Sequence, residues 1–163
     1  MVHNNQHPKI LLREVQENDL DSFFQHQLDP KANWMAAFTS KDPTDRAAFN
    51  AHWIKIMHET SIIIRTILIE EQVAGFVLKY ELMGDAEISY WIGRQFWGKG
   101  IATAALTAFL EELPIRPLHA RAAKDNIASI RVLEKCGFTI TGTQRGFANA
   151  RGKEIEEVVL LLE

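Results

Sequence analysis

Three β-rich segments in the middle of the chain constrain its fold more than any other feature. They are Ser61–Glu70, Val73–Leu82 and Glu87–Ile92, and each is rich in β-branched and aromatic residues. The separators, Glu71-Gln72 and Met83–Ala86, are long enough for turns and too short for the crossover that parallel strands require. The sequence therefore predicts an antiparallel meander at the centre of one sheet.

The stretch before this meander is predicted to contain one strand and two helices. Ile10–Val15 has strand composition, and a helix is predicted to open at Asn18, with Pro30 closing it. Asp42-Pro43 is predicted to start the second helix, because aspartate accepts bonds from free backbone amides and proline suits the first helical position. Lys31–Lys41 shows no clean period and is predicted to be an irregular connection.

After the meander, helices and strands alternate. A helix is predicted after Gly100, a strand near Leu118–Ala122 and a second helix over Asn126–Cys136. The last two strands, Phe138–Thr143 and Ile155–Leu162, are predicted to pair as a hairpin. Because 163 residues suit one domain, residues 1–163 are predicted to form a single α/β domain with a mixed, mostly antiparallel sheet flanked by helices.

Composition excludes several classes of protein. The net charge is −3, whereas nucleic-acid-binding proteins typically carry a basic domain or stripe, so no nucleic-acid partner is expected. Cys136 is the single cysteine, which excludes an intramolecular disulfide and suits a reducing compartment. Met1–Pro8 lacks the blocks of a secretory signal, and apolar runs such as Val158–Leu162 are too short to cross a bilayer. We therefore expect a cytoplasmic protein, monomeric or homodimeric, with no membrane partner.

The segment Arg94–Thr103 (RQFWGKGIAT) lies between an aromatic-rich strand and a predicted helix. Backbone amides at a helix N-terminus are unpaired and lie at the positive end of the helix dipole, and glycines let a ligand approach them closely. Lys99 is followed by glycine rather than Ser or Thr, which excludes a P-loop, and a dinucleotide fingerprint would need a third glycine. By itself, the segment fits a phosphate site and a ligand-free helix start equally well.

Two blocks of sequence together resemble a known family. Gln95–Gly100 resembles the Q/R-x-x-G-x-G/A pyrophosphate loop of the GNAT N-acetyltransferase superfamily, and the surrounding Glu87–Thr103 resembles its RimJ/RimL-like branch. Further along, Asn126–Ser129 followed by Glu134–Phe138 resembles that branch's N-x-x-S-x-x-x-x-E-K-x-G-F signature. The two blocks come in the expected order, and the resemblance extends over essentially the whole chain.

The resemblance implies a sheet that splays open beside the glycine loop, with the pantetheine arm of acetyl-CoA held between two parallel strands. The strand Glu87–Ile92 would offer backbone groups to the pantetheine, and the amides from Trp97 to Ala102 would hold the pyrophosphate. Trp97 would either cover the cofactor or pack against the protein. The residues expected at acetyl-CoA are Trp91, Ile92, Gln95, Trp97, Gly98, Lys99, Gly100, Ile101, Ala102, Asn126 and Arg131.

The same resemblance suggests catalytic roles. An amine must lose a proton before it can attack a thioester, and Glu87 is the predicted base, acting directly or through water. The alternative is that Glu87 is a solvent-facing strand carboxylate. Ser129 matches the serine proposed to protonate the leaving thiolate in the RimL-like branch. The tyrosine that does this in other branches is replaced here by apolar residues such as Leu133. Apart from the resemblance, Tyr90 is a reserve candidate for this role, and the alternative is that it is a packed strand aromatic.

Three functions remain open at this point. The chain would acetylate a protein N-terminal amine, or it would acetylate a small amine, in each case by direct attack in a ternary complex. The third possibility is a non-catalytic acyl-CoA sensor. The predicted acceptor walls are Pro30–Asp42 and the Arg145–Lys153 turn. No metal is expected, because the histidines at positions 3, 7, 26, 52, 58 and 119 lack metal-ligand spacing.

Overall fold

Strands and helices account for most of residues 8–163, the part of the chain that the computed structural model describes. The strands are β1 (Ile10–Arg13), β2 (Ile63–Ile69), β3 (Gln72–Leu82), β4 (Asp85–Ile92), β5 (Leu118–Ala123), β6 (Thr139–Ala148) and β7 (Lys153–Leu162). The helices are α1 (Asp19–Gln27), α2 (Pro30–Ala36), α3 (Arg46–His58), α4 (Ile101–Glu112) and α5 (Ile127–Lys135). A short 3-10 turn, Arg94–Phe96, follows β4.

The seven strands form one sheet in the order β1-β2-β3-β4-β5-β7-β6. Every neighbouring pair is antiparallel except β4 and β5, which are parallel and are connected through α4. The predicted meander is β2-β3-β4, and the predicted terminal hairpin is β6-β7. The expectation of a mixed, mostly antiparallel sheet flanked by helices is therefore confirmed.

The parallel pair opens into a V. Register pairs join β4 to β5 only at Glu87 with His119 and at Ile88 with Ala120. Beyond these pairs β4 continues to Ile92 and β5 to Ala123, but the two strands no longer pair. This divergence is the predicted splay, and it opens toward the segment that leads into α4.

Each face of the sheet is covered by its own hydrophobic core. On one face, called here the α4–α5 face, Phe109 of α4 and Leu133 of α5 are fully buried against strand residues such as Val77. On the opposite, α1–α3 face, the rings of Phe23 and Trp53 lie 4.9 Å apart, centroid to centroid. Because both faces are buried, alternate side chains of each central strand enter two separate environments.

The connection between α1 and α3 differs from its prediction. Lys31–Lys41 was predicted to be irregular, yet α2 covers Pro30–Ala36, and Pro30 begins this helix. Asn33 stabilises the turn between the helices, since its side-chain amide donates to the backbone oxygens of Gln27 and Asp29. A helix of seven residues spans about two turns, which is too short to show a 3.6-residue hydrophobic period.

The start of α3 also differs from its prediction. The helix begins at Arg46, and the capping side chain is Asp45, which accepts a hydrogen bond from the Ala48 amide at 3.0 Å. Asp42 instead accepts from the amide and hydroxyl of Thr44. Asp42 and Asp45 both suit an N-cap by residue type. The predicted cap, Asp42, stabilises the turn that precedes α3 instead.

The remaining predictions concern the chain ends and the last turn. The expected absence of a secretory signal rests on Met1–Pro8, of which residues 1–7 lie outside the described part of the chain. Within residues 8–163, no helix has both the length and the apolar character needed to cross a membrane. The Arg145–Lys153 turn is shorter than predicted, because β6 runs to Ala148 and β7 begins at Lys153.

Candidate active site

The glycine loop requires glycine for its backbone conformation. The 3-10 turn leads the chain away from β4, and Gly98 and Gly100 then adopt φ angles of 75° and 74°. Such left-handed conformations cost an L-residue with a side chain roughly 1–2 kcal/mol. A Cβ built on Gly98 meets no atom within 4 Å, so crowding by protein atoms does not explain the glycine there. The space beside the loop is open to a ligand.

The N-terminus of α4 presents free donors toward this space. The first helical hydrogen bond runs from the Ala104 amide to the Gly100 oxygen at 3.1 Å, which leaves the amides of Ile101, Ala102 and Thr103 without helical acceptors. The first turn of α4 contains no acidic residue. Lys99 adds a positive charge beside the loop, with its ammonium 6.0 Å from the ring centre of Phe96. The segment can therefore hold an anionic group such as a pyrophosphate.

Trp97 and Trp91 have different surroundings. The Trp97 indole donates to the backbone oxygen of Ile92 at 2.8 Å, which ties the loop to the end of β4 and leaves the ring partly exposed. Trp91 lies on the α1–α3 face, and its indole nitrogen is buried without a hydrogen-bond partner among the described residues. Of the other predicted cofactor residues, Gln95 is exposed beside Arg94 in a shallow depression, and Arg131 is exposed on α5.

Tyr90 and Ser129, both predicted as candidate acids, contact each other. The Tyr90 hydroxyl and the Ser129 Oγ lie 2.9 Å apart, within hydrogen-bond distance, on the α4–α5 face. Burial raises the pKa of Tyr90 to about 12, so its phenol is protonated at neutral pH. Asn126 caps α5 by accepting from the Ser129 amide at 3.3 Å and donates to the Met35 oxygen at 3.2 Å. Ser129 is thus held by the cap as well as by Tyr90.

Glu87 is buried, which contradicts the alternative of a solvent-facing carboxylate. Its exposed fraction is 2%, and its Oε1 accepts from the Arg121 Nε at 3.3 Å. Its Oε2 is buried with no hydrogen-bond partner among the described residues. Burial raises the pKa of Glu87, and the charge and hydrogen bond of Arg121 oppose that rise without cancelling it. A raised pKa makes this carboxylate a stronger base than an ordinary glutamate.

The two predicted catalytic groups lie on opposite faces of β4. Tyr90 packs with the core of the α4–α5 face, while Glu87 and Trp91 occupy the alternate positions of the strand. Glu87 lies at the last register pairs before β4 and β5 diverge. A reactive group held in the V can therefore meet the Tyr90–Ser129 pair from one face and Glu87 from the other.

A cavity of about 240 Å³ lies on the α1–α3 face, between the helices and β3–β4. Its floor and walls are mainly aromatic, and its polar rim comes from α1, α2, α3 and the segment between α2 and α3. The aromatic residues are Phe23, Phe38, Phe49, Trp53, Phe76 and Trp91. The rim includes Gln27, Asn33, Thr39, Ser40, Asp42, Asp45 and His52. The predicted wall Pro30–Asp42 contributes to this cavity.

A tight turn sets the shape of this wall. Ala37 is fully buried with φ 65° and ψ −58°, and the Phe38 amide donates to the Ala36 oxygen at 2.7 Å. This three-residue turn is the strained form, in which the central residue has positive φ. The second predicted wall supports it, since the Ala150 amide donates to the Ala37 oxygen at 3.1 Å and the Asn149 side chain donates to the Thr39 oxygen at 2.7 Å.

Two charged residues of the site had no sequence signature. Arg121 of β5 contacts both Glu87 and Glu157 of β7, and the three residues are separated by 34 and 36 positions along the chain. Such a contact depends on strand order and register, so no local pattern predicts it. Among residues 8–163, no group of three or more His, Cys, Asp or Glu is arranged to hold a metal ion; His3 and His7 lie outside that range.

Known proteins resemble this chain in sequence or in fold. The uncharacterized N-acetyltransferase p20 of Bacillus licheniformis is 25% identical over 158 residues, which span 91% of this chain and 89% of that protein. RimJ of Mycobacterium smegmatis, solved in complex with CoA-disulfide, superposes with a TM-score of 0.77 at 20% identity. The match covers 94% of this chain and 81% of the RimJ chain. Spermidine N-acetyltransferase from Vibrio cholerae, solved with CoA and spermine, has a TM-score of 0.75 at 18% identity and matches 93% and 95% of the two chains.

The solved structures establish the shared fold. The family itself is established from the sequence. The model of the family described as Acetyltransferase (GNAT) domain matches residues 9–139, which include the glycine loop, Glu87, Tyr90 and Ser129. The chain belongs to the GNAT acetyltransferase family.

Proposed function

We propose that this protein transfers the acetyl group of acetyl-CoA to a primary amine by direct attack in a ternary complex. One observation carries the proposal: the only parallel strand pair of the described sheet opens into a V beside the glycine loop and the free N-terminus of α4. The solved relatives support it, because RimJ was crystallised with a CoA derivative and the spermidine N-acetyltransferase with CoA and spermine.

The cofactor would be held mainly by the backbone. The amides from Gly98 to Ala102 would bind the pyrophosphate, and the edge of β4 from Ser89 to Ile92, which β5 does not pair, would bind the pantetheine amides. Lys99 and Arg131 would meet the remaining phosphate charge. In this arrangement the thioester end would point toward the closed end of the V, near Glu87.

Proton transfer would use the two faces of β4 separately. A bound ammonium would give its proton to Oε2 of Glu87, directly or through one water, and the neutral amine nitrogen would then bond to the acetyl carbon as the carbon–sulfur bond breaks. The leaving sulfur would take a proton from the Tyr90–Ser129 pair, and the second proton, which the nitrogen loses as the amide forms, would return to the pair through solvent. Because these hydroxyls are 2.9 Å apart, whichever one donates can be reprotonated by the other.

The acceptor is proposed to enter the cavity on the α1–α3 face. Its aromatic lining suits an amine that carries an apolar group, and Asp42 and Asp45 at the rim suit a cation. A volume of about 240 Å³ favours a small amine over a folded partner, although a single N-terminal side chain would also enter it. The small amine is therefore our first candidate, and the protein N-terminus is the second.

One observation favours the alternative of a non-catalytic acyl-CoA sensor. Glu87 is buried and ion-paired, so a chain that had lost its activity could retain it for stability. Calorimetry with acetyl-CoA, followed by CoA release and mass spectrometry on a panel of small amines and peptides, separates the proposals. Binding with acetylated product supports the transferase. Binding without product from any amine supports the sensor, and absence of acetyl-CoA binding would contradict both.

A further inference from the structure

A row of polar side chains crosses the α1–α3 face of the sheet at the closed end of the V. Glu87 lies opposite Tyr80 of β3 in the register, and Arg121 of β5 approaches it from the other side. Glu157 of β7 lies beyond Arg121, opposite Gln144 of β6. The row therefore runs through five strands, and its middle member is the cation.

Arg121 joins two buried carboxylates. Its Nε lies 3.3 Å from Oε1 of Glu87, and its Nη1 lies 3.5 Å from Oε1 of Glu157. The side chain of Arg121 is 32% exposed, whereas Glu87 and Glu157 are both buried. The Gln144 side chain also donates to Glu157, so Glu157 is fixed by a second hydrogen bond besides its contact with Arg121. The guanidinium consequently has a defined direction toward Glu87.

The ion pair bridges the V just where strand pairing stops. Ile88 and Ala120 form the last register pair, Glu87 precedes it on β4, and Arg121 follows it on β5. Arg121 occupies only Oε1 of Glu87, and Oε2 is buried without a hydrogen-bond partner among the described residues. A carboxylate without such a partner could rotate and offer either oxygen.

We propose that Arg121, held in place by Glu157, is the positioning residue for the base: it binds Oε1 of Glu87 and so leaves Oε2 to accept the proton of the amine. The inference rests on the proposed function, because it requires Glu87 to be the base. It adds Arg121 and Glu157 as residues that act through Glu87 without contacting the substrate.

This role of Arg121 has consequences for the pH dependence of the reaction. Burial raises the pKa of Glu87, and Arg121 opposes that rise, so removal of Arg121 should raise the pKa of Glu87 further. Glu157→Gln should act in the opposite direction, because the amide oxygen can still accept from Arg121 while the competing negative charge is removed. The ionisable groups that face or surround Glu87 are Tyr80 on β3, Asp85 on β4, His119 and Arg121 on β5, and Glu157 on β7.

The test measures kcat from pH 5.5 to 9.5 with saturating acetyl-CoA and the best amine of the panel. For Arg121→Gln we expect the acidic limb to move up by about one pH unit, which lowers kcat by up to about tenfold on that limb and by less than about threefold on the alkaline plateau. For Glu157→Gln the limb should move down. Arg121→Lys should lie between wild type and Arg121→Gln, because it keeps the charge but not the planar donor. The matched control is Arg65→Gln, which removes an ion pair between β2 and Glu112 of α4 and should leave the profile unmoved.

Several results would overturn the inference. An equal loss of kcat at all pH values in folded Arg121→Gln would indicate a structural role, and an unmoved acidic limb would remove Arg121 from the mechanism. If Arg121→Gln does not fold, the downward shift in Glu157→Gln decides, and its absence counts against the inference. Glu87→Gln distinguishes failure of the proposed base from failure of the positioning role. Full activity of Glu87→Gln would contradict the assignment of Glu87 as the base. If Glu87→Gln is inactive but the pH profile of Arg121→Gln does not move, only the role of Arg121 is contradicted.

Discussion

Glu87 has surroundings that act on its pKa in opposite directions. Desolvation favours the neutral carboxyl, while Arg121 favours the carboxylate, and the net result is a raised pKa. A base must be ionised before it can accept a proton, so kcat should fall as the pH falls through the pKa of Glu87. The acidic limb of the profile is therefore expected at a higher pH than an ordinary glutamate would give.

Glu87→Gln tests this role. Glutamine keeps the shape of the side chain but cannot take the ammonium proton, so kcat near neutral pH should fall by about 10²–10⁴-fold and the acidic limb should disappear. Affinity for acetyl-CoA, measured by calorimetry, should hardly change. Glu112→Gln, at an exposed carboxylate with its own arginine partner, is the control and should keep full activity. Turnover close to wild type at pH 7 would show that Glu87 is a structural carboxylate.

The Tyr90–Ser129 pair supports a second prediction at the residue scale. Ser129→Ala and Tyr90→Phe should each lower kcat by about tenfold to a hundredfold, the lower end of general-acid effects, because a thiolate is a fairly stable leaving group. The kcat of the double variant should be no lower than that of the more impaired single variant, because the two hydroxyls act as one relay. Helix α5 should persist in Ser129→Ala, because Asn126 caps it through the backbone amide.

Saturating kinetics of the three variants decide among the alternatives for the acid. Losses that multiply in the double variant would indicate two independent roles. A loss confined to Tyr90→Phe would remove Ser129 from the mechanism, and a change in Tm without any change in kcat would make the pair purely structural.

At the scale of single elements, the glycine loop and α4 form the proposed cofactor site. Gly100→Ala should weaken acetyl-CoA binding by at least about tenfold, or about 1.4 kcal/mol, because a Cβ would lie where the pyrophosphate approaches the amides. The control is Gly84→Ala in the β3–β4 turn, where φ is 88° and an added Cβ would have no protein atom within 4 Å. Both variants suffer similar backbone strain, so equal affinities by calorimetry would exclude the loop from cofactor binding.

Helix α3 offers a test that concerns stability alone. Asp45→Ala should lower the free energy of unfolding by about 1 kcal/mol, because the Ala48 amide loses its capping acceptor. Asp42→Ala should cost less, since it removes only a local turn contact with Thr44. Urea unfolding of both variants measures the difference. A larger loss for Asp42→Ala would restore Asp42 as the cap that the sequence had predicted.

These elements also show which features a sequence pattern can predict. The meander and the glycine loop were predictable because strand composition, turn length and glycine spacing are local signals. Helix α2 was not, because seven residues show no period and Asn33 stabilises its start by bonds to the preceding turn. Resemblance to the family pointed to Glu87 and Ser129, but Arg121 lies on another strand and becomes a partner of Glu87 only through the register.

At the scale of the whole molecule, the sheet separates the two halves of the proposed reaction. The face with α4 and α5 carries the Tyr90–Ser129 pair, and the face with α1 to α3 carries Glu87 and the aromatic cavity. The V between β4 and β5 is the place where both faces can reach one ligand. The fold and family could be predicted from the sequence, whereas the cavity could not, because its lining comes from several elements and from aromatic residues that equally suit a core.

The measurement that tests the proposed acetyl transfer most directly is an incubation of the protein with acetyl-CoA and an amine panel, in which CoA thiol release and acetylated amine are quantified together. We predict equal amounts of CoA and acetylated amine for at least one primary amine, with both lost together in Glu87→Gln. Tight acetyl-CoA binding with no acetylated amine across small amines and N-terminal peptides would contradict the proposed transfer.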